Sequence, residues 1–378
     1  SFALVRHHLE VVQIPSADPD TGRCVGKRVA IVDDGGGVAV ALAARLASGG
    51  AVVTLVRPGE SVGHVDVLVY LGTLAAGVSS DVVKDLFLRV KEAVTTGATQ
   101  VLGVTALGGR FGLDAHTERA VPIAGVAGLL KTVAREFAGV RVRAVDLSPR
   151  DSVEHKAGHV WAELCATDEL FEVGCRGDAR YALRVIAGAP TRSANGHDLP
   201  LDEQSVVLLT GGARGITARV AIELARRYGC RLVLVGRSPL PPSEEDPVFA
   251  QATDAVALRR VLVQVKQLRD PVLVEAECAR LLAAREVRAS LAAIRAAGGT
   301  LVYRSVDVRD SEAWAGAIDE LYAEYGRLDG VFHGAGILEY KLVADKSPES
   351  FARVFDTKVK SAMVIADKVR PDVKLVVF

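Results

Sequence analysis

The sequence predicts two tandem doubly wound α/β domains, and three observations support this fold class. Apolar strand-like runs alternate with amphipathic helical patterns along the 378 residues, as in domains built on parallel sheets. The same strand–glycine turn–helix–strand unit occurs twice. A polar stretch containing proline and glycine, 187–204, separates the two copies. We therefore expect a first domain at 1–190, a linker at 191–204 and a second domain at 205–378.

The two copies correspond element by element. In each, an apolar strand runs into a glycine cluster, a helical pattern follows, and further strands come later in the same order. The corresponding pairs are 30–37 with 207–213, 51–57 with 231–237, 65–72 with 328–336, and 100–105 with 374–378. This alternation indicates a mostly parallel sheet in each copy.

Composition excludes several classes of protein. Lysine plus arginine equals aspartate plus glutamate at 46 each, so the chain lacks the basicity of a nucleic-acid binder. Charges interrupt every apolar run before the roughly 18 residues that a membrane span needs, and no signal peptide is visible. Five scattered cysteines without a CxxC pair indicate free thiols in a reducing cytoplasm. Because the chain opens on Ser1 and its only methionine is Met363, we expect a piece of a longer protein.

The second copy carries the residues expected of a dinucleotide site. Its glycines allow a tight turn and leave room for a pyrophosphate at the helix N-terminus. The next strand ends on Arg237, and a guanidinium there suits a 2′-phosphate, so the predicted cofactor is NADPH. The candidate cofactor-binding residues are Thr210, Gly211, Gly212, Ala213, Arg214, Gly215, Ile216, Gly236, Arg237, Ser238, Asp307, Val308, His333, Gly334, Ala335 and Gly336.

The first copy lacks these features. Asp33 and Asp34 stand where the phosphate-binding turn should begin, and two carboxylates there would repel a pyrophosphate. This copy also has no tyrosine between Tyr70 and Tyr181. We therefore expect a structural domain, with a nucleotide site at the glycines of 35–37 as the alternative.

Together these residues resemble the ketoreductase domain of a type I polyketide synthase, a relative of the short-chain dehydrogenases. The resemblance covers the whole chain and implies a truncated, structural Rossmann-like subdomain before a catalytic one. Thr217 replaces the usual last glycine of the turn, and a helical insertion occupies 239–297. This combination is similar to reductase domains of polyunsaturated-fatty-acid and enediyne-type synthases. The segments that carry the resemblance are 122–136, 141–147, 172–180, 210–216, 236–238, 305–307 and 333–336.

The resemblance implies NADPH-dependent reduction of a β-ketoacyl thioester held on an acyl carrier protein, beside neighbouring synthase domains. In that family, a tyrosine protonates the alkoxide, a serine holds the carbonyl oxygen, and a lysine lowers the pKa of the tyrosine. The motif Thr357–Ala362 assigns the lysine to Lys358, whereas Lys360 lies on another helix face. The alternative is that both lysines are solvated. We expect the serine and tyrosine beyond Phe378, and Tyr340 as a pocket or surface residue.

Other interpretations remain open. His155 and His159 are spaced as metal ligands can be, but lack a third ligand. Cys175 and Cys278 lack a neighbouring histidine motif, so buried thiols are expected. For the whole chain, the alternatives are a non-catalytic, nucleotide-binding scaffold module of a megasynthase and a free-standing short-chain dehydrogenase. The Leu-Glu-Tyr triplet at 338–340 only partly matches the family's Leu-Asp-Asp marker of product configuration.

Overall fold

The computed structural model describes residues 6–113, 123–188 and 199–378. The chain divides into two compact units. Unit 1 comprises Ser1–Thr191 with Glu339–Ala352, and unit 2 comprises Arg192–Leu338 with Arg353–Phe378. Residue 122 of the resembling segments and residues 191–198 of the expected linker lie outside the described residues.

Unit 1 is built on one eight-stranded sheet with the order β1-β8-β7-β6-β5-β4-β2-β3. Strands β2 to β7 run parallel to one another, and β8 and β1 add an antiparallel edge. Its elements are β1 (Arg6–Ile14), β2 (Arg28–Val32), α1 (Val38–Ser48), β3 (Val52–Val56), β4 (Val67–Tyr70), α2 (Asp81–Thr95), β5 (Gln100–Thr105), α3 (Gly125–Glu136), β6 (Arg141–Leu147), α4 (Val153–Cys165), β7 (Glu172–Arg176) and β8 (Ala179–Gly188).

Helices cover both faces of this sheet. The inner strands β2, β4 and β5 are largely apolar, because successive side chains point to opposite faces of the sheet and both faces are buried there. On one face, Ile31 and Val69 pack with Leu42 of α1 and Val160 of α4. On the other face, α2 packs on β4 and α3 on β5 and β6. The unit thus has the doubly wound architecture that the alternating pattern predicts.

The segment 339–352 is held on α2 and α3 of unit 1. The amide of Val343 donates to Glu136 Oε2 at 2.6 Å, and Lys91 Nζ donates to the carbonyl of Lys346 at 2.9 Å. The ring of Phe351 stacks on that of Phe87, with centroids 4.2 Å apart. These contacts join residues far apart in sequence, so the local pattern carries no sign of them.

Unit 2 is built on a five-stranded parallel sheet with the order β11-β10-β9-β12-β13. Its elements are β9 (Val206–Thr210), α5 (Gly215–Tyr228), β10 (Arg231–Gly236), α6 (Pro247–Ala250), α7 (Ala255–Val265), α8 (Pro271–Ala296), β11 (Thr300–Ser305), α9 (Ser311–Tyr325), β12 (Gly330–His333), α10 (Pro348–Lys368, its first residues in unit 1) and β13 (Leu375–Val377). The strand order reverses between β9 and β12, and ligands of such sheets bind at the carboxyl ends of the strands beside this point.

Two apolar layers enclose the sheet of unit 2. Leu209 and Leu234 face α5 and α8, where Leu224 and Leu291 are buried. Neighbouring strand residues point the other way and pack with Trp314 of α9 and Ile365 of α10. The predicted insertion is helical, and its helices α6 to α8 enclose a small core of Phe249, Leu258, Leu262, Val274, Cys278 and Leu281.

The internal repeat is visible in the strand orders. The order β3-β2-β4-β5 of unit 1 repeats as β10-β9-β12-β13 in unit 2. Unit 1 passes from β3 to β4 through 57–66. It lacks counterparts of the strand β11 and of the helices α8 and α9 that flank it in unit 2. This is the truncation that the resemblance implies. Within the part of the chain that the structure describes, no helix combines the length and apolarity needed to cross a bilayer.

Candidate dinucleotide-binding site

The glycine-rich turn of unit 2 lies at the carboxyl end of β9, beside the reversal of strand order. Gly211 has a φ of 70°, which a side chain would strain. A Cβ there would also lie 3.1 Å from the carbonyl of Gly334 and 3.2 Å from the amide of Ala335. The turns after β9 and β12 therefore touch through their backbones, and the glycine is required for both conformation and space.

The N-terminus of α5 already holds an anionic group. Arg214 is the N-cap residue and makes no side-chain cap hydrogen bond. Instead, the carboxylate of Glu286 on α8 accepts from the amide of Gly215 and from Nε of Arg214, both at 2.8 Å. Since a phosphate uses the same kinds of donor, this corner has the chemistry that a dinucleotide requires.

The ends of β10 and β11 contribute two further predicted residues. Arg237 is exposed after β10. Asp307 follows β11 and is paired with Arg309, whose terminal nitrogen lies 2.6 Å from its carboxylate. Hydrogen bonds from Arg309 and, more weakly, the charge of Arg237 hold the pKa of Asp307 below its usual range, against the effect of burial. The next residue, Val308, is buried in the core beneath.

His333 ends β12 and is buried, with both ring nitrogens in hydrogen-bond contact. Nδ1 lies 2.8 Å from Thr210 Oγ1 and Nε2 lies 2.9 Å from Ser361 Oγ. Ser361 Oγ donates to the carbonyl of Thr357 at 2.6 Å, and Thr210 Oγ1 accepts from the amide of Ala335 at 3.1 Å. The histidine therefore links β9, β12 and α10 within unit 2.

The bond from Ser361 to Thr357 favours one tautomer of His333. Because the Ser361 hydroxyl donates to Thr357, it must accept from Nε2–H of the ring. Thr210 then donates to the unprotonated Nδ1. Burial, and secondly the charge of Lys358, lower the pKa of His333 to about 4. The ring is thus neutral, and both of its nitrogens are used inside the protein.

Lys358 reaches the turn that follows β12. A Cβ placed on Gly336 would lie 3.1 Å from Cε and 3.6 Å from Nζ of Lys358. Lys360 points elsewhere and lies 3.6 Å from Asp356. The structure therefore separates the two lysines as the motif predicts, although Lys358 is also exposed to solvent.

Thr217, which replaces the last glycine of the turn, packs against a glycine of the neighbouring turn, Gly334. A Cβ on Gly334 would overlap with Thr217 Oγ1, and would lie 2.8 Å from its Cγ2 and 3.0 Å from the carbonyl of Thr210. The side chain of Thr217 thus occupies the space that Gly334 leaves free.

We expect Gly334→Ala to destabilise unit 2 by about 1–3 kcal/mol, because a methyl group has no room there. Thr217→Ala should restore most of the loss, since it removes both clashing atoms. Urea denaturation followed by circular dichroism measures the effect. Gly316→Ala on α9, where a Cβ meets no atom within 4 Å, is the matched control. If Gly334→Ala is as stable as that control, the proposed packing is wrong.

In the first copy, a carboxylate of the chain itself binds the backbone amides at the N-terminus of α1. Asp34 is buried, and its oxygens accept from the amides of Gly36, Val38 and Ala39 at 3.0, 3.3 and 2.8 Å. The N-terminus of α1 is thus capped by the chain itself. The carboxylate of Asp33 accepts from the amide of Gly35 at 3.0 Å.

Asp34→Ala should lower the free energy of unfolding by about 1–2 kcal/mol, because it removes the cap of α1. Asp33→Ala is the neighbouring control and should cost less than about 0.5 kcal/mol. Denaturation curves of both variants measure the two changes in the free energy of unfolding. Equal stability of the two would contradict the capping role of Asp34.

Four candidate residues outside this site are hydrogen-bonded to the protein, buried or exposed to solvent. His159 Nε2 lies 2.9 Å from the carbonyl of Gly177, and within the described ranges no cluster of three potential metal ligands occurs. Cys175 and Cys278 are buried, and burial raises the pKa of Cys175. Tyr340 is 86% exposed.

Three residues of the site have roles that could not be predicted from the sequence. Glu286 is 71 residues from Gly215, and a glutamate on an amphipathic helix resembles any solvated charge. Ser361 lies within the lysine motif but has no distinguishing neighbour. Thr217 stands out in the sequence only as a departure from the glycine pattern. The partner of each becomes visible only when distant elements are brought together.

The comparisons with known proteins agree with this architecture. Residues 205–378 match the model of the family described as the KR domain. The resemblance to synthase ketoreductase domains is therefore confirmed. These domains are reductases of the short-chain dehydrogenase type, which bind a nicotinamide cofactor.

Two curated relatives and one solved structure illustrate the relationship. The chain is 31% identical to a polyunsaturated fatty acid synthase polypeptide of Thraustochytrium sp. over 71% of its length and 10% of the relative. It is 25% identical to polyketide synthase PksL from Bacillus subtilis, over 74% of its length and 6% of the relative. The ketoreductase PlmKR1, from the first module of phoslactomycin biosynthesis in Streptomyces sp. HK803, has a similar fold. Its TM-score is 0.63 at 22% identity, over 98% of this chain and 71% of that one. The chain thus spans a tenth or less of these two curated synthases.

Proposed function

We propose that the chain is the NADPH-binding part of a reductase that converts a β-ketoacyl thioester to its β-hydroxy form. The observation that carries this proposal is the convergence of three groups at the carboxyl edge of one sheet. These are the glycine turn with its anion-holding corner, Arg237 after β10, and Lys358 against Gly336.

Each group has a definite role in this proposal. The amide of Gly215 and the guanidinium of Arg214 bind a phosphate, and Arg237 binds the 2′-phosphate that distinguishes NADPH from NADH. Asp307 contacts the adenine. Gly334, Ala335 and Gly336 let the ribose and nicotinamide approach the backbone. His333 supports this turn from beneath through Thr210, without touching the cofactor.

Bound NADPH supplies a hydride to the β-carbon. The ammonium group of Lys358 lowers the pKa of a tyrosine that protonates the carbonyl oxygen, and helps to orient the nicotinamide ribose. The first copy holds no nucleotide, because Asp34, unlike the exposed Glu286 of the second copy, is buried and accepts from three amides at its helix N-terminus.

The substrate of the proposed reaction is carried on an acyl carrier protein, and the reductase works beside other synthase domains. The relatives named above are synthases of far greater length than this chain. We place the protein in a reducing cytoplasm, since its five cysteines are free and buried. The domain boundaries proposed from the sequence put the catalytic part at 205–378, the range that the KR family matches.

The test is oxidation of NADPH, followed at 340 nm, with a β-ketoacyl N-acetylcysteamine thioester as the carrier mimic. Turnover that falls by at least about 100-fold in Lys358→Met supports the reaction and the role of the lysine. NADPH binding without turnover would favour the scaffold alternative, and turnover of free cyclic ketones alone would favour a dehydrogenase of diffusible substrates.

A further inference from the structure

The insertion helix α8 brings a carboxylate into the proposed phosphate corner. Glu286 contacts the Gly215 amide and Arg214 at the same time, each at 2.8 Å. These contacts, the amide bond first, hold the pKa of Glu286 below its usual range. The group is therefore an anion at neutral pH, placed at the positive end of α5.

The position of Glu286 is fixed by the packing of its helix. Val287 and Leu291 of α8 are buried against α5 and the sheet of unit 2. On the adjoining face, Arg285 and Arg288 pair with Glu245. Glu286 thus projects from a packed helix, and the movement needed to release the turn is confined to its own side chain.

A dinucleotide phosphate and this carboxylate need the same donors. One backbone N–H binds one strong acceptor at a time, and two anions in direct contact repel each other. Arg214 and Glu286 are 56% and 43% exposed at their side chains, so their pairing is weak enough to be exchanged for a doubly charged ligand.

We propose that Glu286 competes with the cofactor phosphate for the Gly215 amide and Arg214, and so sets the affinity of the site for dinucleotides. This proposal rests on the proposed function of the glycine turn. It assigns to the insertion a role in cofactor binding: the helix carries a built-in anion that the cofactor must displace. Release of the side chain then accompanies binding, and its loss should make binding tighter.

The experiment compares NADPH affinities by titration of the nucleotide's fluorescence. Glu286→Gln keeps the size of the side chain and removes its charge. We expect the dissociation constant to fall about tenfold, the size expected when a surface ion pair and a helix-terminus charge stop competing. Glu275→Gln is the matched control, since Glu275 lies on the same helix and pairs with Arg259. It should change the constant by less than about twofold.

A second variant tests whether Arg214 is the shared group. Arg214→Ala should weaken NADPH binding more in the Glu286→Gln background than in the natural chain, because only there is the guanidinium free for phosphate. Unchanged or weaker binding by Glu286→Gln, with a natural chain that binds NADPH, would overturn the competition alone. Absence of NADPH binding in both proteins would overturn the proposed function as well. Thermal unfolding of each variant verifies that it is folded.

Discussion

Arg237→Asp should raise the dissociation constant for NADPH by about 100-fold and tighten the binding of NADH. The substitution removes a charge-assisted hydrogen bond to the 2′-phosphate and puts a carboxylate in its place, which repels phosphate and accepts from a 2′-hydroxyl. The residue is exposed at the end of β10, so the fold should tolerate the change. Titration with both nucleotides measures the switch.

The control for this prediction is Arg269→Asp. Arg269 is another exposed arginine, just before α8. The same change of charge there should leave both affinities within about twofold, because an exposed charge outside the predicted turn is screened by salt. Equal NADPH affinity in Arg237→Asp and the natural chain would place the 2′-phosphate elsewhere.

His333→Ala should lower the free energy of unfolding by about 3 kcal/mol. It leaves a cavity beneath the turn and removes the hydrogen-bond partners of Thr210 and Ser361, both of which are buried. The effect should extend to NADPH affinity, because Thr210 also holds the amide of Ala335. Denaturation and nucleotide titration of the same samples measure the two effects.

His333 should also make stability depend on pH. Its pKa is lowered to about 4 in the folded chain, whereas an unfolded histidine titrates near pH 6.5. Between these values the unfolded chain binds the extra proton, so stability is fully present above about pH 6.5 and falls toward pH 4, by about 3 kcal/mol. His333→Asn lacks this contribution. If His333→Asn loses stability over the same pH range and by the same amount as the natural chain, other groups are responsible for the pH dependence.

The local parts of the site can be predicted from the sequence. The turn at 210–216 is recognisable because a glycine cluster between an apolar strand and a helix is a property of neighbouring residues. Arg237 is recognisable because it ends the next apolar strand of the same unit. Asp34 is conspicuous in the sequence because of its charge. The structure adds that Asp34 accepts from the amides of Gly36, Val38 and Ala39 and so caps α1, where a phosphate would otherwise bind.

The parts that the sequence does not predict depend on long-range packing. Glu286 meets Gly215 because α8 packs on α5, and His333 meets Ser361 because α10 covers the sheet. The attachment of 339–352 to unit 1 is of the same kind. No periodicity or motif encodes which distant side chain faces a given turn, since many glutamates and serines have similar local surroundings.

We propose that one copy of the repeat binds NADPH and the other does not. Calorimetric titration of the 378-residue chain with NADPH measures both the number of bound nucleotides and their affinity. We predict one NADPH per chain, with affinity lost in Arg237→Asp and unchanged in Asp33→Ala. Two nucleotides per chain, or one whose affinity depends on Asp33 and not on Arg237, would contradict the claim.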